Sequence, residues 1–345
     1  MARVWDVPVH DSTRVRDARV AAEDAAALAG LDESRTAAAA LIATELATNL
    51  LKHAGGGQLL VEAVAPPAGQ GSPPSLQIAA VDHGPGIADV PAALVDGFST
   101  TGSLGAGLGT CRRLADAFGL DGSPGRGTVA LARLDVAPQV PSVGARVGGI
   151  NVPFAGAAYS GDLWTCVHAA GRLTLMLADG LGHGPEAARA STAAAEEVRR
   201  CAHLPPAELL KCLDGALRGT RGAAVAVAQL DPRAGRLRYA GVGNTGARLY
   251  EGGTWRPLLS RPGIVGVHRP GTVPETDVPW AADRLLILHT DGLPSRWVPP
   301  SGPGLPGADP AVTAAVTVRD AGSFARPVRD DTAVAVLSPD PPDLP

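Results

Sequence analysis

Lysine is almost missing from this chain of 345 residues, which has only Lys52 and Lys211. Arginine supplies nearly all the positive charge. With alanine, glycine and proline abundant, the shortage reads as coding bias rather than function. No excess of positive charge exists either: the net charge is -4, which gives no general affinity for nucleic acid or an anionic membrane. Cysteine is scarce, and Cys111, Cys166, Cys201 and Cys212 show neither metal-ligand spacing nor the framework of a small disulfide scaffold. Reduced thiols are therefore expected. No run approaches the ~20 apolar residues of a membrane span, and Ala-Arg-Val-Trp-Asp after Met1 lacks an apolar signal core. A cytoplasmic protein with neither nucleic acid nor membrane as partner is expected.

A hydrophobic fraction of 45% over this length is enough for two domains with separate cores. Residues 13–30 and 34–54 read as alanine-rich helices, the second capped by Asp32 or Ser34. Strands are expected at 58–65, 75–81 and 128–136, with a helix running from the glycine-rich stretch 102–109 to about Phe118. The stretch 137–144, with two prolines and small residues, interrupts both periodicities and reads as a linker. Short strands then dominate, at 152–159, 163–169, 172–178, 223–230 and 237–242, with helices at 185–200 and 206–217. Residues 299–310 read as a loop rich in proline and glycine.

In this second half, acidic residues recur where apolar runs stop. Leu173-Thr-Leu-Met-Leu-Ala-Asp179-Gly180 and Leu285-Leu-Ile-Leu-His-Thr-Asp291-Gly292 each end in Asp-Gly. Gly161-Asp162 and Asp330-Asp331 each precede a strand-like run. Taken alone, Asp179-Gly180 reads equally well as a hairpin turn. Four strand-edge acidic sites together fit one hard-metal site, because a charge at a buried strand end is costly without a cation.

In the first half, Thr44-Glu-Leu-Ala-Thr-Asn-Leu-Leu-Lys-His-Ala54 places Glu45 and Asn49 four apart on one helix face, beside the apolar stripe Ile42, Leu46, Leu50. Val81-Asp-His-Gly-Pro-Gly-Ile87 puts Asp82 at a strand end, with Gly84 and Gly86 letting a ligand approach the backbone. Gly105-Ala-Gly-Leu-Gly109 precedes a helix whose free amides suit phosphate. Gly125-Arg-Gly-Thr128 leads into the last strand.

This ordered set resembles the GHKL-type ATP-binding fold, and in particular the small serine kinases that act on anti-sigma-factor antagonists. Asp96-Gly-Phe-Ser-Thr-Thr-Gly-Ser-Leu-Gly-Ala-Gly-Leu-Gly109 is similar to the switch kinase of the bacterial stressosome. The resemblance implies ATP as cofactor, with Asn49 holding Mg²⁺ on its phosphates and Glu45 as base for an incoming serine hydroxyl. Asp82 would take the adenine amino group, supported by Thr128, and Gly84, Gly86, Gly105, Gly107 and Gly109 would line the nucleotide and its lid. Lys52 fits either a phosphate contact or an ordinary surface position.

Residues 144–338 resemble the SpoIIE-like branch of metal-dependent serine/threonine phosphatases. The matching positions are Gly161-Asp162, Ala178-Asp-Gly-Leu-Gly-His-Gly184, Thr290-Asp-Gly292 and Asp330-Asp331. By that resemblance Asp179 bridges two Mg²⁺ or Mn²⁺ ions, and the Gly180 carbonyl, Asp162, Asp291 and Asp330 complete the site. Sequence leaves Asp330 and Asp331 both open as the ligand; Asp330 is favoured, with Asp331 behind it. His183 reads as a turn residue or as a donor to a leaving oxygen. Gly241-Val-Gly-Asn-Thr-Gly246 and Arg261-Pro-Gly-Ile-Val-Gly266 look more like the small stressosome feedback phosphatase.

The expected architecture is α+β in two domains: a GHKL (Bergerat) α/β sandwich over 1–136, a linker at 137–143, a PP2C-like αββα sandwich over 144–338, and a disordered tail at 339–345. The resemblance implies a bifunctional regulator that phosphorylates and dephosphorylates serine or threonine on a STAS-domain partner in a sigma-factor network. The competing expectation is a phosphatase whose first half only binds nucleotide and sequesters its partner.

Overall fold

Two aspartates start the first two helices. Asp11 accepts from the Thr13 amide at 2.8 Å to open α1 (Ser12–Ala29), and Asp32 accepts from Arg35 at 2.8 Å to open α2 (Glu33–Ala54). The cap of α2 is thus Asp32 rather than Ser34. Gly30 and Gly55 end the two helices in the left-handed conformation. The computed structural model describes residues 3–64, 74–94, 107–122, 124–137, 144–302, 304–322 and 330–340.

With β1 (Val4–Val9), β2 (Gly57–Val64), β3 (Ser75–Val81), β4 (Ala117–Asp121) and β5 (Val129–Asp135), these helices build the first half. Its antiparallel sheet has the order β1-β2-β3-β5-β4. The period of two along each strand sends Leu59, Val61, Leu76 and Ile78 towards α1, α2 and the short helix α3 (Leu108–Leu114). Leu60, Ala79, Val81, Val129 and Leu131 point the other way. That other face is covered as well: all seven residues of β3 are buried.

The second half contains β6 (Arg146–Val152), β7 (Asp162–Ala169), β8 (Arg172–Gly180), α4 (Pro185–Cys201), α5 (Pro206–Ala216), β9 (Ala223–Asp231), β10 (Arg236–Val242), β11 (Gly246–Glu251), β12 (Thr254–Leu258), β13 (Thr276–Pro279), β14 (Leu285–His289), α6 (Pro310–Ala321) and β15 (Thr332–Ser338). Two sheets, β13-β10-β9-β8-β7 and β12-β11-β14-β15-β6, face each other across an apolar layer including Leu175, Leu230, Leu249 and Leu288. Helices α4 and α5 cover the first sheet. Helix α6 covers the second, and it also packs on the other face of the first half's sheet, away from α1 and α2. The αββα layering follows, and the protein is α+β in two domains as expected.

Two local expectations fail and one element goes unread. The helix expected to reach Phe118 ends at Leu114, and Ala117–Asp121 pairs with β5 instead. The strand expected at 152–159 lies earlier, at Arg146–Val152, where it pairs with β15. The apolar run beyond Pro310, given no element, is a helix capped by Asp309, which accepts from Ala311 and Val312. At the other end of the chain, the Pro339 carbonyl accepts from Arg146 and Asp340 accepts from the Gly144 amide, so the first two residues of the expected tail are tied down.

Candidate functional site

The register of β7 against β8 sets Asp162 directly opposite Asp179. Like charges opposed across a ladder repel, so this pairing needs a reason. Asp179-Gly180 is not a hairpin turn: both residues lie within β8, paired with Ala224 and Ala223 of β9. Gly180 is required because a Cβ there would stand 2.2 Å from the Ala187 carbonyl of α4.

The other sheet brings the remaining acids to the same end. Adjacent strands β14 and β15 carry Asp291 just past one terminus and Asp330-Asp331 just before the other. A Cβ at Gly292 would stand 2.2 Å from the Asp331 carbonyl, so that glycine lets the two loops touch. Asp331 is buried and locked: its carboxylate accepts from Phe154 at 2.7 Å and Gly161 at 2.8 Å, which staples the two sheets together. Asp330 is exposed, and among the described residues only its Oδ1 is engaged by a side-chain hydrogen bond, from the Asp331 amide at 2.9 Å.

Burial pushes Asp162 well above the usual carboxylate range, with Asp179, Asp331 and Asp291 adding repulsion and a hydrogen bond from Thr290 opposing it. Asp179 is raised to about 7, first by desolvation and then by Asp291, Asp330 and Asp331. Asp162 Oδ2 is buried and meets no donor among the described residues. An orphaned carboxylate oxygen amid four other acids is a donor set that fits a hard divalent cation. Among the described residues, no three histidine, cysteine, aspartate or glutamate side chains stand together as a metal-holding group.

Two side chains at this end went unread in the sequence. Asn244, in the turn after β10, donates to Asp291 Oδ2 at 2.5 Å. Asn151, on β6, donates from Nδ2 to the Asp162 carbonyl at 2.7 Å. The Gly-Val-Gly-Asn run was a signal for the first; nothing in the sequence flags the second. His183 is exposed.

In the first half, Asp82 is buried, and its Oδ1 accepts from Gly84 at 2.8 Å and Thr128 at 3.0 Å. Oδ2 is left without a donor among the described residues. Gly84 is pressed against the end of α2, where a Cβ would stand 2.7 Å from Ala54 Cα. Gly127 lies so close to Asp82 that a Cβ would be 2.0 Å from its carbonyl. Two further backbone bonds, Ile87 to Gly122 and Gly125 to Pro85, each at 2.8 Å, join the loops on which Gly86 and Thr128 sit.

Glu45 and Asn49 are half-buried one turn apart on α2. Desolvation raises Glu45, with Lys52 pulling it back. Gly107 and Gly109 open α3, whose buried Cys111 lies close enough to Glu45 to feel its charge. Gly105 lies outside the described residues, as does most of 96–109. Lys52 is exposed.

Residues 9–133 match the family model described as histidine kinase-like ATPase domain, and residues 169–338 match stage II sporulation protein E (SpoIIE). The first part of the chain is thus similar to that ATPase domain and the second part to SpoIIE. The serine/threonine-protein kinase RsbT of Bacillus subtilis (strain 168) is 47% identical over 85 residues, 25% of this chain. Those residues span 61% of the kinase's own length. Among solved structures, a chain from a study of the bacterial stressosome is 29% identical with a TM-score of 0.49, covering 56% of this chain and 98% of its own. RsbX in complex with magnesium is 21% identical with a TM-score of 0.49, covering 58% and 98%. Among the described residues, no helix is long and apolar enough to cross a membrane.

Proposed function

We propose that the chain is a bifunctional regulator in which a protein serine/threonine phosphatase and a protein serine kinase act on one phosphorylatable partner. The phosphatase reading rests above all on the opposed pair Asp162 and Asp179, which makes physical sense around a divalent cation. Asp162, Asp179, Asp291, Asp330 and the Gly180 carbonyl would hold Mg²⁺ or Mn²⁺. Such a centre supplies an acidified water for in-line attack on a phosphoryl group. The chain's own part is positional: Asn244 orients Asp291, Asn151 fixes the backbone at Asp162, and Asp331 pins the Gly161 turn. Because both oxygens of Asp331 are taken up by backbone amides, Asp330 is the better ligand.

In the ATPase domain, Asp82 Oδ2 is free to accept from the adenine amino group, with Thr128 holding its other oxygen. Asn49 would reach the Mg²⁺ on the ATP phosphates. Glu45, held in a partly desolvated site, is suited to take the proton of an attacking serine hydroxyl. The glycines at 84, 86, 105, 107 and 109 would let nucleotide and lid approach. The division of labour follows residues 1–136 and 144–338, and the partner fits a STAS-domain antagonist of a sigma-factor network in the cytoplasm.

Asp82→Asn is expected to weaken ATP binding by roughly 1.5–3 kcal/mol, the worth of one charge-assisted hydrogen bond. Calorimetry giving an unchanged affinity would remove Asp82 from the adenine site. Glu45→Ala is expected to abolish ATP-dependent phosphorylation of a STAS partner while binding to that partner survives, followed by intact mass and a pull-down. If the wild-type protein binds nucleotide and partner but transfers no phosphate, the ATPase domain is instead a sequestering module.

A further inference from the structure

Arg319, in the last turn of α6, has no exposed side-chain surface. Its Nη1 donates to Asp121 at 2.5 Å and to the Gly127 carbonyl at 3.3 Å. Its own carbonyl meets the His83 Nε2 at 2.9 Å. The neighbouring Asp320 takes Arg126 at 2.6 Å. His83, Arg126 and Gly127 all belong to the two loops that clasp Asp82. The phosphatase half thus reaches across and braces the walls of the nucleotide site.

The other parts of α6 lie against the phosphatase sheet. Its backbone at Ala311 comes so close to β6 that a Cβ on Gly148 would stand 2.3 Å away. Strand β6 carries Asn151, which holds the Asp162 carbonyl. Strand β15, also packed under α6, begins directly after Asp330-Asp331. The start of α6 is tied to the ATPase sheet as well, since Arg133 grips Asp309 with two bonds of 2.8 and 3.1 Å.

An apolar contact would be enough to hold two domains together, and the layer around Leu131 and Val312 already supplies one. A buried guanidinium is costly as mere glue. Its effect is to make the position of the nucleotide loops and the seating of α6 depend on each other. Two sites that bias one shared element are coupled, and the coupling is reciprocal.

We propose that α6 makes the phosphatase centre responsive to adenine nucleotide: nucleotide at Asp82 fixes the 82–87 and 124–128 loops, these seat α6 through Arg319, and α6 steadies the strand ends bearing the acidic cluster. This rests on the reading of Asp82 as an adenine site. Arg319 is a positioning residue in both directions and touches neither substrate.

The test uses the full chain with AMP-PNP and Mg²⁺ and reads hydrogen exchange, binding and turnover. Nucleotide is expected to slow amide exchange in α6 and at the start of β15, not only in the loops around Asp82. It is also expected to lower the free Mn²⁺ giving half-maximal hydrolysis of para-nitrophenyl phosphate by about fivefold, the lower edge of ordinary coupling. Arg319→Gln should still bind AMP-PNP by calorimetry, with protection now confined to the ATPase domain and no change in Mn²⁺ dependence. Arg126→Ala, on the surface, cuts only the Asp320 tie and should reduce the Mn²⁺ shift by about twofold, the worth of an exposed pair. It keeps the test open if Arg319→Gln does not fold. If AMP-PNP binds the wild type while exchange in α6 and Mn²⁺ dependence stay unchanged, the coupling is wrong and the site reading stands. Absence of AMP-PNP binding would overturn both.

Discussion

Asp179→Asn is expected to abolish phosphatase turnover while leaving the metal-free protein more stable than wild type. The two effects have one cause. Asp179 stands opposite Asp162 and close to Asp291, Asp330 and Asp331. Its carboxyl is raised from 3.8 to about 7, chiefly by burial. A shift of that size corresponds to as much as roughly 4 kcal/mol against the charged form. Asparagine removes that charge and also removes a hard oxygen ligand. The loss of turnover should exceed the roughly 10–100-fold typical of residues that only support a ligand. Excess chelator should abolish wild-type activity and Mn²⁺ should restore it. Thermal unfolding in chelator gives the other half of the result: a variant that melts lower than wild type would show that Asp179 is structural.

Glu62→Gln is expected to stabilise the protein at alkaline pH and to flatten its stability between pH 5 and 8. Glu62 is a carboxyl of the ATPase sheet buried against the phosphatase half. Its Oε1 accepts from Gln77 Nε2 at 3.1 Å and from the Asn151 amide at 3.3 Å. Desolvation outweighs those two bonds and pushes the group from 4.5 up to about 8. The folded state therefore favours the protonated acid. Its stabilising share is fully present below the unfolded value of 4.5 and is lost as the pH rises through about 8. The upper bound on that loss is roughly 4–5 kcal/mol. Glutamine keeps the acceptor oxygen and never ionises. Urea midpoints at pH 5, 6.5 and 8.5 decide the matter: a variant less stable than wild type at pH 8.5 would mean that the carboxylate charge is needed.

The acidic cluster was legible in the sequence because each member ends or begins an apolar run, and strand ends are where a β-sandwich collects side chains. The α2 pair was legible because 3.6-residue periodicity places Glu45 and Asn49 beside a buried stripe. Helix α6 was not. Pro310-Ala-Val-Thr-Ala-Ala-Val-Thr-Val is rich in β-branched residues, whose propensity points to strand. Burial on both sides overrides that preference: Ala311, Val312, Ala314, Ala315 and Val318 are all buried. The signal that mattered was the capping residue Asp309 followed by proline. The burial of Glu62 is hidden in the sequence for a related reason. A glutamate in a strand normally marks the solvent face, and here that face is covered by another domain. Strand β4 was absorbed into the preceding helix because only Ala115 and Asp116 separate the two elements.

The doubly covered sheet has a consequence for how the protein can be divided. Its back face, with Leu60, Val81, Val129 and Leu131, forms one core with Ile150, Ile287 and Val334 of the phosphatase sheet. Cutting the chain between 137 and 144 would strip both surfaces, at roughly 1.5–3 kcal/mol for each large apolar side chain left in water. Fragments made to mimic the free-standing relatives would inherit an adhesive flank that those relatives need not have. The two halves are separable as sequences but not as bodies.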